Sequence, residues 1–221
     1  MQVKQALQAR RSIRAFLDKP VSNEMISDLL DSARWAPSGS NTQPWQVAVL
    51  RGERKNSLQQ QIEQAYLNGQ KPLQDYDYYP TTWVNPYQAR RIACGLQLYK
   101  SLNITREDKS RKQEQWIANY HSFHAPVLLL FFIDKVMQVG SYIDYGMFLQ
   151  SVMLAATEQG LATCAQAALC DYSALIREYL GYSEDKILIC GMALGYADES
   201  APINGYRTER EAVSCFTEFF D

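Results

Sequence analysis

Apolar positions along this chain repeat with two different periods, which separate the expected helices from the expected strands. Apolar residues three or four positions apart predict helices at 2–10, 22–33, 53–67, 87–102, 108–120, 144–159 and 171–180. Short apolar runs predict strands at 45–50, 126–133, 163–168 and 186–193, with a further strand at 215–220. The run 126–133 (PVLLLFFI) is the most apolar, so we expect it at the centre of the sheet, and the helix 144–159 is apolar nearly all round and should be buried.

The order of these elements predicts the fold class. Helices and strands alternate without a regular strand–helix–strand period, which favours one α+β domain over residues 1–221 rather than a doubly wound parallel sheet. The stretch 68–87 differs from the rest because it combines three prolines with five large aromatic residues. Linkers avoid aromatic residues, so we expect an ordered excursion of the chain here.

Composition narrows the class of protein. The 221 residues are 47% hydrophobic and 21% charged, which is typical of a folded globular protein. Twenty-two basic and 24 acidic residues give a net charge of −2, which argues against a nucleic acid or an anionic membrane surface as the main partner. The five cysteines include no C-x-x-C pair, and the polar N-terminus has no signal-peptide core. No apolar stretch approaches the ~20 residues that cross a bilayer, so we expect a reduced, cytoplasmic protein.

Residues that could carry catalysis by themselves are scarce. The eleven glycines never take the spacing of a dinucleotide-binding fingerprint, and no phosphate-binding P-loop or G-x-S-x-G nucleophile motif occurs. His121 and His124 are the only histidines, and no acidic or thiol cluster accompanies them, so we expect no metal site. The reactive group of such a protein can be a bound cofactor rather than a side chain.

Two segments are suited to holding an anion. Arg10, Arg11 and Arg14 surround Ser12, and guanidinium groups bind phosphate with paired hydrogen bonds. An alternative is a solvated helix end, where cations favour the helix dipole. The loop 37–44 (PSGSNTQP) is made of small and polar residues that let a ligand approach the backbone, although an ordinary helix-to-strand turn has the same composition.

The joint pattern of these segments is more specific than either one. RRSIRAF, WAPSGSNTQPW and GMFLQSVMLAATEQGLATC follow one another in an order that resembles the flavin-dependent nitroreductase family. Within that family YYPTTW, PYQARR, QWIANYHSFHAPV and the C-terminal RTER resemble the nitrobenzoate reductase group. The resemblance covers most of the chain and is loosest through 55–85.

The resemblance implies a central mixed sheet flanked by helices, in an intertwined homodimer with FMN at the subunit interface. It implies that the excursion 68–123 covers the active site and that a C-terminal extension, 211–221, reaches the partner subunit. By the same resemblance, the residues that bind FMN are Arg10, Arg11, Ser12, Arg14, Pro37, Ser38, Gly39, Asn41, Asn119, Gln166, Ala167, Arg207 and Arg210. The loop 37–39 is expected to reach the flavin of the other subunit.

This chain departs from the family pattern at two places. Ala212 stands where relatives commonly have a proline after the C-terminal arginine, so Arg207 is an alternative to Arg210. The stretch 165–168 reads AQAA where many relatives have P-x-E-G, which leaves no glutamate beside the flavin. A backbone N–H at Ala167 would still suffice for a hydrogen bond to the flavin, because that contact needs no side chain.

The activity that the resemblance implies is reduction of nitroaromatic compounds by NADPH or NADH through FMN, in two-electron steps to nitroso and hydroxylamino products. No side chain is then needed as a catalytic group. The residues expected at the substrate are Ser40, Tyr79, Trp83, Tyr120 and Phe123, and Arg90, Arg91 or His121 would steer a carboxylate. The alternatives are an enone or quinone reductase or a dehydrogenase on the same scaffold, or a flavin-binding protein without turnover.

Overall fold

The computed structural model describes residues 1–220 and contains seven α-helices and four strands in that range. The helices are α1 (Val3–Ala9), α2 (Asn23–Ala33), α3 (Gly52–Leu67), α4 (Tyr87–Ser101), α5 (Lys109–Tyr120), α6 (Val139–Glu158) and α7 (Ser173–Leu180). The strands are β1 (Gln46–Arg51), β2 (Val127–Asp134), β3 (Ala162–Gln166) and β4 (Lys186–Gly195). Ser22 caps α2, as its sequence position predicts, by accepting a hydrogen bond from the backbone of Met25.

The four strands form one sheet in the order β1-β2-β4-β3. All three ladders are antiparallel, so the mixed sheet expected from the resemblance has only one parallel contact among residues 1–220, the bridge between Ser12 and Thr163. This bridge attaches the segment after α1 to the free edge of β3. The α+β class is confirmed, and the apolar strand β2 lies inside the sheet as expected.

Helices cover both faces of the sheet. On one face, α2 and α6 pack against the odd-numbered side chains of β2, from Val127 to Ile133. On the other face, α3 and α7 pack against Leu128, Leu130 and Phe132. Because both faces are covered, β2 is apolar at every position and shows no alternation.

Three elements predicted from the sequence need correction. The expected strand 215–220 is wrong: this region contains only a short 3₁₀ turn at Val213–Cys215, and Phe216, Phe219 and Phe220 are exposed. The helix expected at 171–180 starts two residues later, as α7 (Ser173–Leu180), and a 3₁₀ helix, Ala167–Tyr172, precedes it. The long helix α6 starts at Val139, five residues earlier than its apolar pattern indicates, because its first turns are exposed.

The aromatic excursion is anchored at its base to the sheet. Strand β3 pairs with β4 only from Gly191 onward, which leaves the first half of β4 without a neighbour on that side. Asp75 and Tyr76 occupy this gap: the Asp75 carboxylate accepts the backbone N–H of Leu188, and the Tyr76 hydroxyl donates to the carbonyl of Ile189. The excursion is therefore an ordered part of the domain.

None of the helices within residues 1–220 combines the length and the apolar character that spanning a membrane requires.

Candidate functional site

The arginines predicted to bind an anion meet in one concave pocket of about 120 Å³. Arg10 ends α1, the following residues run along the edge of β3, and a second segment after β4 closes the pocket. Of the residues expected from sequence, Arg10, Arg11, Ser12, Arg14, Arg207 and Arg210 all line it. The other lining residues are Cys94, Ile203, Asn204, Tyr206 and Thr208.

The lining of this arginine pocket has an excess of positive charge. Arg11 is neutralised by Glu199 and also donates to the carbonyl of Asn204 at 2.8 Å. Within residues 1–220, no carboxylate lies within 4 Å of the guanidinium groups of Arg10, Arg14, Arg207 or Arg210. Partial burial, together with the neighbouring Arg210 and Arg207, lowers the pKa of Arg10. An anion in this pocket would relieve the mutual repulsion of these groups.

Asn204 holds the two walls of the pocket together, and sequence reasoning did not assign it a role. Its side-chain oxygen accepts the backbone N–H of Arg14 at 2.8 Å, and its amide nitrogen donates to the carbonyls of Ala15 and Asp198, each at 2.9 Å. The side chain is buried. The APIN motif that contains Asn204 was the available signal, because a polar residue between apolar neighbours suggests a satisfied hydrogen-bonding position.

A second polar site lies at the end of β3, where Gln166 contacts Asn119 of α5. Gln166 donates its side-chain amide to the carbonyl of Asn119 at 2.6 Å. Its Oε1 atom is buried and has no hydrogen-bond partner within the described part of the chain. A buried acceptor without a partner is costly and therefore marks a position where a ligand donor fits. Gln166 is three residues from the Ser12–Thr163 bridge, about 10 Å along the strand.

The thiol between these two ends of β3 is inert. Cys164 is buried, and burial raises its pKa, while Arg14 and Arg10 lower it to a smaller extent. A thiol that stays protonated is a poor nucleophile. The edge of β3 therefore offers binding groups at both ends and no reactive group between them.

The loop 37–43 does not line the arginine pocket within one protomer. It is largely exposed and packs on α6, where the backbone N–H of Gly39 donates to Asp144 at 3.1 Å. Ser40, Asn41 and Gln43 have φ angles of 49°, 56° and 47°, in the left-handed region that non-glycine residues seldom adopt. Such strain persists only where surrounding contacts impose it, and it clusters at binding sites.

Asp144 is one of the contacts that impose the loop conformation. We expect Asp144→Ala to raise the hydrogen-exchange rate of the Gly39 amide roughly fivefold or more, because a lost hydrogen bond is worth about 1 kcal/mol. Asp144→Asn keeps a side-chain oxygen in place and should stay close to the native rate. Hydrogen exchange followed by mass spectrometry measures this, and equal rates in the native protein and Asp144→Ala would contradict the assignment.

The residues expected at the substrate divide into two groups. Ser40, Tyr79 and Trp83 have accessible surface, and Tyr79 is 57% exposed. Tyr120 and Phe123 are 1% and 3% exposed and pack among core residues, so in this protomer they present almost no surface to a substrate ring. Their aromatic character serves the core: Tyr120 packs edge-on against Tyr172 and accepts a hydrogen bond from Trp116.

Comparison with known proteins gives consistent matches over the whole chain. The family model described as the nitroreductase family matches residues 7–196. A 4-nitrobenzoate reductase of Pseudomonas putida is 39% identical, covering 96% of this chain and 92% of that protein. A nitrobenzene nitroreductase of Ectopseudomonas oleovorans is 37% identical, covering 95% of this chain and 93% of that protein.

The fold has a close counterpart among solved structures. The crystal structure of the FMN- and NADPH-dependent nitroreductase NfnB from Sphigopyxis sp. strain HMH superposes with a TM-score of 0.97. It is 38% identical in sequence, and the match covers 100% of both chains. The excursion 68–86 and the exposed C-terminal segment are therefore included in the structural similarity.

Proposed function

This chain belongs to the nitroreductase family, and we propose that it is an FMN-dependent oxidoreductase that uses NADPH or NADH to reduce nitroaromatic compounds. The observation that carries the proposal is the arginine pocket joined through β3 to Gln166. Four guanidinium groups without a carboxylate partner in residues 1–220 suit the doubly charged phosphate of FMN. The relatives named for nitroaromatic substrates supply the reaction class.

The residues present fit FMN at both ends of the site. Arg10, Arg14, Arg207 and Arg210 would hold the phosphate, and Ser12 would donate to it or to the sugar chain. At the other end, the orphaned Oε1 of Gln166 would accept a hydrogen bond from a donor of the cofactor. The two ends lie about 10 Å apart along β3, a spacing that suits a ligand with an anionic end and a polar, planar end.

When bound, FMN supplies the hydride chemistry that links the nicotinamide to the nitro group. The chain's own contribution is binding and orientation, since reaction partners held in place react far faster than free ones. Asn204 fixes the two arginine-bearing segments before the cofactor arrives, so little ordering remains for binding. Ala165–Ala168 bring no ionisable side chain to the site.

The proposal includes a homodimer. Large apolar side chains are exposed on α1 and α6 and at the C-terminal end: Val3, Leu7, Val139, Ile143, Met147, Phe216, Phe219 and Phe220. This many exposed large apolar side chains favours an interaction surface. We infer that the extension 211–221 packs on the partner subunit and that the loop 37–41, with its left-handed residues, completes the partner's flavin site. Asp221 itself lies outside the described residues.

The decisive experiment starts from the purified protein reconstituted with FMN. We expect a yellow protein whose visible flavin band is bleached by NADPH or NADH without oxygen and restored by a nitroaromatic compound. Failure to bind FMN would overturn the proposal. Restoration by enones or quinones in strong preference to nitroaromatics would overturn the substrate class while leaving the cofactor assignment intact.

A further inference from the structure

The function proposed above does not specify whether the preferred nitroaromatic substrate is charged or neutral. The similar proteins above are named for a charged nitroaromatic, 4-nitrobenzoate, and for a neutral one, nitrobenzene, at nearly equal identity. A charged substrate requires a cation that no protein carboxylate already neutralises. Three side chains were candidates from sequence: Arg90, Arg91 and His121.

Two of these candidates already lie against a carboxylate. His121 lies against Glu63 of α3, with Nε2 and Oε2 2.9 Å apart. The Nε of Arg90 donates to the carboxylate of Glu211 at 3.0 Å. Both side chains therefore already face a carboxylate of the same protomer.

Arg91 remains without a counter-charge. No carboxylate in residues 1–220 lies within 4 Å of its guanidinium group. The guanidinium carbon instead lies 5.0 Å from the centre of the Trp83 ring, a cation–π contact that orients the group and leaves its N–H donors free.

The half-buried Trp83 ring continues a row of aromatic side chains that includes the exposed Tyr78 and Tyr79. Its centre lies 5.6 Å from that of Tyr79, which in turn lies 4.6 Å from that of Tyr78. Tyr78 is 49% exposed and Tyr79 57% exposed, so each ring keeps accessible surface for a ligand. The row is rigid at its base, because Tyr76, which packs on Tyr78, is hydrogen-bonded to β4.

We propose that Arg91, with Trp83 and Tyr79, forms a recognition surface for an aromatic carboxylate, and that nitroaromatic acids are the substrates this enzyme prefers. The aromatic ring of the ligand stacks on the row, and its carboxylate pairs with the free guanidinium at the end of the row. The proposal rests on the proposed function and adds the charge of the substrate to it.

The test compares a charged with a neutral substrate in the FMN-loaded protein. The native protein is expected to prefer 4-nitrobenzoate over nitrobenzene in kcat/KM. In Arg91→Gln the ratio of the two kcat/KM values should fall about ten- to a hundredfold, mainly through KM for the acid, because one charge-assisted pair is lost. Arg91→Lys keeps the charge without the planar guanidinium and should recover part of the ratio.

A second readout does not depend on turnover. Benzoate and benzamide have nearly the same shape and differ in charge, so their dissociation constants, measured by isothermal titration calorimetry, report on recognition alone. Arg91→Gln should weaken benzoate about tenfold or more relative to benzamide, the loss of one ion pair. Arg106→Gln removes an exposed arginine outside the aromatic row and serves as the matched control, with both ratios unchanged.

Two outcomes would overturn the proposal. One is an unchanged ratio for both ligand pairs in Arg91→Gln. The other is a native protein that binds benzamide as tightly as benzoate. A protein that binds benzoate through Arg91 but takes up no FMN would instead overturn the proposed function and leave this surface standing.

Discussion

Replacing Arg10 and Arg14 together by alanine is expected to strip FMN from the protein. Both side chains line the arginine pocket, and within residues 1–220 neither has a carboxylate partner that could compete for it. A hydrogen bond to a charged group contributes about 1.5–3 kcal/mol, so losing two should weaken FMN binding by roughly 10²- to 10⁴-fold. Quenching of FMN fluorescence on titration with the apoprotein measures the dissociation constant.

The control for this experiment removes two other arginines. Arg34 is exposed and pairs with Asp31, and Arg106 is exposed at the end of the α4–α5 connection. Arg34→Ala combined with Arg106→Ala changes the net charge by the same amount and should leave FMN binding within about twofold, since surface pairs contribute little. If the Arg10/Arg14 variant keeps its FMN through dialysis, the phosphate does not bind in this pocket.

Asp75→Ala is expected to be the most destabilising single change in the aromatic excursion. The Asp75 carboxylate pairs with Arg177 and also accepts hydrogen bonds from Ser173 at 2.9 Å and from the backbone of Leu188 at 3.1 Å. The side chains of Asp75 and Arg177 are only 11% and 12% exposed. Removing one partner of a buried pair costs about 3–5 kcal/mol, because the other charge stays buried without compensation.

Urea unfolding monitored by circular dichroism measures this loss as a lower midpoint at an unchanged slope. Asp77→Ala is the matched control, since Asp77 is exposed two residues further along the same segment and should change stability by less than about 0.5 kcal/mol. Equal effects of the two substitutions would show that the contacts of Asp75 do not anchor the excursion.

Most of the secondary structure could be predicted from periodicity, because the buried face of each helix or strand sets the spacing of its apolar residues. Strand β2 and helices α3, α4 and α5 begin and end within one or two residues of their predicted limits. The prediction was wrong at 215–220, where the apolar pattern resembles a strand. A strand needs a neighbour, and no strand of residues 1–220 pairs with this segment.

For aromatic residues, the sequence gives the residue type but not whether the side chain is buried. The resemblance placed four of them together at the substrate, but Tyr120 and Phe123 pack in the core while Tyr79 and Trp83 are accessible. An aromatic side chain is equally suited to a core or to a binding surface. Only the fold decides which, since it sets what lies on the other side of the ring.

By itself the sequence determined the α+β class, the order of the elements and the arginine-rich segment after α1, because local patterns and motif order carry this information. The resemblance assigned residues 10–14 and 207–210 to the same cofactor, and the tertiary structure decided that these segments, about two hundred positions apart, close around one pocket. It also decided that Arg90 and His121 lie against carboxylates while Arg91 has no carboxylate partner in residues 1–220. Charge is a property of a residue, but whether that charge is available to a ligand depends on which neighbours the fold brings within a few ångströms.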